Sequence, residues 1–183
     1  MNQEKINILI GRCKQNDTKA FRQLVETFQP VVFRIAFRLL CDEDEAKDIV
    51  QETFIRIWLH ISRYHEGVNF STWIYKITCN LCYDRLRQIK RSPIYAGTSV
   101  ELSEINIPDE EDVEQSVINR NLIEWITKLT YDLSPKQRIV FTLRDLEGMD
   151  IEEVEKITGL SREKIKSNLY LARQYIREKI KDL

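Results

Sequence analysis

"AKDIVQETFIRIWLHI", residues 46–61, sets its apolar side at Ala46, Ile49, Val50, Thr53, Phe54, Ile57, Trp58 and Ile61. Spacings of three and four, sustained along the whole stretch, predict an amphipathic helix with one buried side. The opposite side reads Asp48, Gln51, Glu52 and Arg56, and the entry "CDEDEAKD" is more acidic still. Carboxylates in a first turn favour the positive end of the helix dipole. A protein partner would use the same acids, so composition leaves both readings open.

Helical periods continue on either side. Asp17 and Thr18 are placed to cap a helix through "KAFRQLVETF", expected to end near Pro30. A second helix then covers "VVFRIAFRLL", with Val32, Ile35, Ala36 and Leu39 on one stripe. Past the loop "SRYHEGVN" comes "FSTWIYKITCNLCYDRLRQIKR", in which Trp73, Ile77 and Leu81 repeat at spacing four and read as core. Only five Gly and four Pro occur in 183 residues, too few for a turn-rich β architecture. The N-terminus shows no leader pattern, and no apolar run approaches the roughly 20 residues that cross a bilayer. The expectation is a soluble, cytoplasmic, all-α protein.

A net charge of −1 argues at first against a nucleic-acid partner, but its distribution does not. Residues 1–91 carry 15 Lys and Arg against 11 Asp and Glu, and residues 116–183 carry 13 against 11. Between them, residues 92–115 hold seven acids and no base, together with Pro93, Gly97 and Pro108. Two mildly basic domains joined by an acidic, flexible linker are therefore expected, with boundaries at 1–91, 92–115 and 116–183.

In the second domain, Ile118, Leu122, Ile126 and Leu129 share a face. Ser134-Pro135 opens "PKQRIVFTLRDLE", which Gly148 stops. "DIEEVEKIT" is a short helix closed by Gly159, and Ser161 caps a last helix from Arg162 towards Lys181. A short helix, a Gly turn and a basic helix outline a helix-turn-helix. If Ile165, Leu169, Ala172 and Ile176 face inward, then Arg162, Lys166, Ser167, Tyr170, Arg173 and Gln174 point outward, a mixture that suits phosphates and base edges. A solvated basic face is the plainer alternative.

Near the helix that begins at Phe70, Tyr64 and His65 sit in a polar connection where a ring has no evident core to fill. Exposed rings there could stack on unpaired bases. Asn80 offers an amide to a base edge, and Arg85, Arg87, Lys90 and Arg91 could follow phosphates. Cys79 and Cys82 form a single C-x-x-C, but His60 and His65 lie in another segment. Those two, with Cys13 and Cys41, read as reduced thiols, and neither a metal nor a cofactor is expected. No Gly-rich phosphate loop and no nucleophile with a His partner appears, so an enzyme is not expected.

Three of these stretches, in this order, resemble the sigma factors of bacterial RNA polymerase, in the small extracytoplasmic-function group that has only domains two and four. "DEDEAKDIVQETFIRIW" looks like the helix that docks on the polymerase clamp helices. "NFSTWIYKITCNLCYDRLRQIKR" is similar to the part that melts and reads the −10 element. "LSPKQRIVFTLRDLEGMDIEEVEKITGLSREKIKSNLYLARQYIREKI" is similar to the part that reads the −35 element.

The resemblance implies core-polymerase docking at Asp48, Gln51, Glu52 and Phe54. It implies −10 contacts from Tyr64, Phe70, Trp73, Lys76 and Asn80, with Arg85 and Arg87 near the phosphates, and −35 contacts from Arg162, Lys166, Ser167, Asn168, Tyr170 and Arg173. Asn168 departs from the family's usual Arg. Glu155 departs from its usual small Ala, which implies looser packing inside the helix-turn-helix. Core RNA polymerase, promoter DNA and an anti-sigma factor, in many such systems membrane-anchored, are the implied partners. The anti-sigma factor is expected to wedge between the two domains, and the acidic linker to thread the RNA exit path or to serve as a spacer. A stand-alone helix-turn-helix regulator and a protein adaptor are the rival classes. The first leaves the basic tail after Asn80 unused, and the second leaves the last helix unused.

Overall fold

The computed structural model describes residues 3–65, 67, 69–91, 125 and 129–181. The acidic linker and the face expected at Ile118, Leu122 and Ile126 lie outside them. Every regular element among the described residues is helical.

Helix α1 (Gln3–Cys13), which the sequence reading did not delimit, buries Ile6, Leu9, Ile10 and Cys13. Helix α2 runs unbroken over Thr18–Leu40. Asp17 caps it, its Oδ1 accepting from the amides of Lys19 (2.9 Å) and Ala20 (3.1 Å). The expected stop at Pro30 does not occur. Leu24, Phe28, Val32, Ile35, Ala36 and Leu39 form one buried stripe straight through the proline. At ~25 cal/mol per Å² of apolar area, six buried side chains outweigh a proline penalty of roughly 3 kcal/mol.

Helix α3 (Glu43–His60) buries Ala46, Ile49, Val50, Thr53, Phe54 and Ile57, and a short 3₁₀ turn at Ile61–Arg63 follows. Helix α4 (Phe70–Arg91) departs from the expected stripe. Its buried set is Phe70, Ile74, Thr78, Cys79, Leu81, Cys82 and Leu86, while Trp73 and Ile77 are half-buried. The reason is that α4 is packed from two directions, by α2 and α3 and by the helices that follow the linker.

Those later helices start at Ser134, which caps α5 (Pro135–Phe141) in a reciprocal box with Gln137. The chain then widens into a π-type turn at Thr142–Leu146. Gly148 (φ +69°) reverses it, as expected. Helix α6 (Ile151–Thr158) has its own box between Asp150 and Glu153 and ends at Gly159, also at φ +69°. Helix α7 (Arg162–Lys181) buries Ile165, Leu169, Ala172 and Ile176, the stripe read from the sequence.

Two main clusters make the core. One joins α1, the first half of α2, α3 and the head of α4 around Leu24, Phe28, Ile57, Phe70 and Ile74. The other joins Ile35, Leu39, Cys79 and Cys82 to Ile139, Val154, Ile157 and Ile165. The second cluster thus contains residues from both sides of the linker. Where an inhibitor was expected to wedge, the described halves fill the space with their own side chains.

Candidate polymerase and nucleic-acid interfaces

The outward side of α3 is as expected. Asp48 and Gln51 are exposed, and Glu52 is half-exposed with Oε1 accepting from Arg56 Nε at 2.7 Å. Phe54 is different, for it lies in the core with its ring 6.4 Å from that of Phe21. It supports the outward side of α3 from beneath and offers almost no surface of its own. A groove between α3 and α4 adds Asp84 and Gln88 to Asp48, Gln51 and Glu52. The sequence reading missed both, because they come from another helix.

Arg85 lines that same groove, its Nε 2.6 Å from Glu45 Oε2. Burial pushes the Glu45 carboxyl up, and the Arg85 guanidinium only partly opposes this. The family resemblance implies a place for Arg85, with Arg87, near the DNA phosphates. Nine residues separate it from Lys76, about two and a half turns at 3.6 residues per turn, which puts it on the far side of α4. Arg87 does share the Lys76 side. It is exposed, with its guanidinium 5.6 Å from the Tyr83 ring centre.

The corner between α3 and α4 corrects a second expectation. Tyr64 is only 4% exposed, and its ring packs on Phe70 (5.4 Å, edge-on) and Trp73 (5.3 Å). Lys14, just past α1, donates Nζ to the Tyr64 carbonyl at 2.8 Å and lies over the ring. The ring therefore has a core to fill, supplied by the N-terminal helix. Phe70 is fully buried, with its ring also 5.4 Å from Phe28.

The surface above this cluster is a groove of about 480 Å³. Arg63, His65, Trp73 and Lys76 line it, and Lys156 reaches it from α6. An aromatic edge ringed by cations can hold a base and its phosphate. Lys156 lies 80 residues from Lys76 in the chain, and no sequence signal joins them. Asn80 is exposed and faces a smaller cavity of about 170 Å³, opposite Lys136 and Leu160.

On α7, Arg162, Lys166, Ser167, Tyr170, Arg173 and Gln174 are all exposed, Tyr170 at 68%. Arg173 is held in place: its Nε and Nη2 donate to the two Asp145 oxygens at 2.8 and 2.6 Å. Arg162 stands 3.7 Å from Glu152 and 4.0 Å from Glu155. Glu155, where the family's usual residue is a small Ala, thus faces Arg162 across the turn at the edge of ion-pair range. Asn168 is half-buried and spends its amide on the Lys164 carbonyl (2.7 Å).

Cys79 and Cys82 are both buried, and burial pushes the Cys79 thiol up to about 12 and that of Cys82 well above its ordinary value. No group of three metal-ligating side chains occurs among the described residues, and no helix among them is long and apolar enough to cross a membrane.

Comparison with known proteins fits this geometry. A family model for Sigma-70 region 2 matches residues 24–92, and one for Sigma-70, region 4 matches residues 123–176. The ECF RNA polymerase sigma factor SigW of Bacillus subtilis is 30% identical over 182 residues, covering 95% of this chain and 96% of that protein. The ECF RNA polymerase sigma-E factor of Haemophilus influenzae is 28% identical, with 96% and 95% covered. Among solved structures, the sigma factor RpoE in complex with the anti-sigma factor NepR from Bartonella quintana superposes with a TM-score of 0.64 at 26% identity, covering 89% of this chain and 98% of that one. CnrH in complex with the cytosolic domain of CnrY shares the fold, with a TM-score of 0.68 at 19% identity and 96% of each chain covered. The chain belongs to the extracytoplasmic-function sigma factors of RNA polymerase, promoter-specific transcription initiation factors rather than enzymes.

Proposed function

We propose that this protein docks on core RNA polymerase through α3, handles the unpaired −10 strand at the α3–α4 corner and reads the −35 duplex with α7. The observation that carries the reading is α7, whose apolar stripe is wholly buried while its basic row is wholly exposed. A recognition helix needs that division, because its base-reading side chains must leave the domain free. Asp48, Gln51 and Glu52 make the docking contacts, and Phe54 holds their helix in place. Trp73, Lys76 and Asn80 meet the melted strand with Arg87 beside its phosphates, while Tyr64 and Phe70 position Trp73 from beneath. Arg85 acts on the docking side through Glu45.

The protein works in the cytoplasm, where the polymerase is, and an anti-sigma factor restrains it, as NepR is found bound to RpoE. In vitro transcription with core enzyme on a promoter library tests the whole reading. Defined start sites are expected, and they should vanish with Asp48→Arg. Start sites that survive Asp48→Arg and Lys166→Ala together would remove the docking and −35 assignments.

A further inference from the structure

The groove above the α3–α4 corner gathers more positive charge than one strand nucleotide matches. Arg63 comes from the 3₁₀ turn, Lys76 from α4 and Lys156 from α6, with His65 beside them. All four are exposed, and among the described residues no carboxylate lines the groove with them. Among the same residues, none of the three cations is paired with an acid elsewhere. Like charges gathered in this way repel until an anion joins them. A nucleotide within a DNA strand brings only one negative charge. Lys156, moreover, belongs to the first helix of the helix-turn-helix. On the sigma reading that unit sits on the −35 duplex, about 25 base pairs from the −10 element, some 85 Å at 3.4 Å per pair. Lys156 therefore has no part in handling the −10 strand, and the set of cations around Trp73 belongs to the free protein.

The floor of the groove suits a base. Trp73 is half-buried, with the rings of Tyr64 (5.3 Å) and Phe70 (5.7 Å) packed against it, so the indole is held in place while part of it borders the groove. Two fused rings overlap best with two fused rings, which favours a purine over a pyrimidine. Asn69 and Thr72 line the same space. The Asn69 Oδ1 accepts from the Ser71 amide at 2.9 Å, which leaves its NH2 group for a ribose or a base edge. The Arg63 fork can take two phosphate oxygens at once, and Lys76 and Lys156 add point charges. The volume, about 480 Å³, falls within the range of roughly 300–1,000 Å³ usual for small-molecule sites.

We propose that the free protein binds a purine nucleoside di- or triphosphate in this groove, with the base on Trp73 and the phosphates among Arg63, Lys76 and Lys156. The bound nucleotide covers the ring assigned to the −10 strand, so the site ties promoter capture to the nucleotide supply of the cell. The proposal rests on the sigma reading above only in taking Lys156 away from the −10 strand.

Anisotropy of GTP carrying a fluorophore on its ribose, titrated with the free full-length chain at low salt and displaced by unlabelled compounds, tests this. GTP and ATP should displace the probe. Guanosine and inorganic triphosphate should each do so about tenfold less well or worse, since one lacks the phosphates and the other the stacked ring. Trp73→Ala should weaken probe binding by about tenfold, and Trp73→Phe by less than about threefold. Lys156→Ala should weaken it by about fivefold or more, whereas Lys164→Ala, out on α7, should leave it unchanged. Should Trp73→Ala fail to fold, Lys156→Ala, at an exposed position, still decides the matter. A probe that does not bind, inorganic triphosphate as effective as GTP, or full affinity in Lys156→Ala would each overturn the proposal. A chain that directs transcription with core enzyme yet binds no nucleotide loses this site alone. One that binds nucleotide yet directs no transcription loses the sigma reading alone.

Discussion

The corner between α3 and α4 and the outer face of α7 are both assigned to DNA, yet they are built in opposite ways. On α7 a single buried stripe leaves every assigned residue but the half-buried Asn168 in solvent, including Tyr170. At the corner the assigned aromatics turn inward, with Tyr64 and Phe70 sealed under Trp73 and only the cationic rim open. A helix packed by its own small domain declares its outward residues by elimination. An aromatic in a polar loop is decided by whatever element arrives above it, here α1 and Lys14. On the proposed reading the rings at the corner serve as a platform, and the Tyr170 ring on α7 as a contact.

Truncating one ring in each region gives the largest contrast. Phe70→Ala should lower stability by about 3–5 kcal/mol, because it empties a site with no exposed surface. Tyr170→Ala should stay within about 0.5 kcal/mol of wild type. Urea unfolding followed by circular dichroism measures both, and similar values for the two would erase the distinction.

Strand capture comes next. With core enzyme bound, Trp73→Ala should weaken a single-stranded −10 oligonucleotide by about 1–3 kcal/mol, the worth of one base stacked on a ring. Trp73→Phe should recover most of that, and Tyr170→Ala should leave it unchanged. A Trp73→Phe as poor as Trp73→Ala would argue against stacking as Trp73's role.

A smaller effect should separate reach from charge on α7. Asp145→Asn unties Arg173, whose guanidinium the carboxylate now occupies twice over. Duplex −35 affinity should rise severalfold at low salt, and the salt slope should steepen by about one phosphate contact. An unchanged slope would mean that Arg173 reaches no phosphate even when released.

The smallest concerns the base of α7. Hydrogen bonds from Lys179 and then Tyr175 hold the Asp132 carboxyl below its ordinary value of 3.8. A depressed folded-state value gives stability that is present above pH 3.8 and lost as the pH falls through the folded value. Since Asp132 is well exposed, Asp132→Asn should cost less than about 1 kcal/mol at pH 7, and the difference should shrink below pH 3.8. A difference that grows in acid would assign the stability to another group.

What could be read from the sequence divides along the same line. The caps at Asp17, Ser134 and Gly159 and the stripes of α3 and α7 depend on residues within one or two turns of each other, and spacing captures them. The burial of Tyr64, the pairing of Arg85 with Glu45 and the approach of Lys156 to Lys76 depend on which helices meet, and no local period encodes that. Pro30 failed as a stop signal for the same reason, since the stripe running through it is held by partners elsewhere in the chain.

That proline has a kinetic consequence. It has no amide to give, so the Glu26 carbonyl loses its helical partner midway along α2. The break falls close to the boundary between the two clusters: Leu24, Phe28 and Val32 belong to one, Ile35 and Leu39 to the other. One helix thus serves two cooperative units, with a weak joint where they meet. Under native-state hydrogen exchange its two ends should open with different free energies. The amides of Ile35, Ala36 and Leu39 should lose protection together with the cluster they share with the helices after the linker, and those of Leu24 and Phe28 with the other, so a single helix would report on both units.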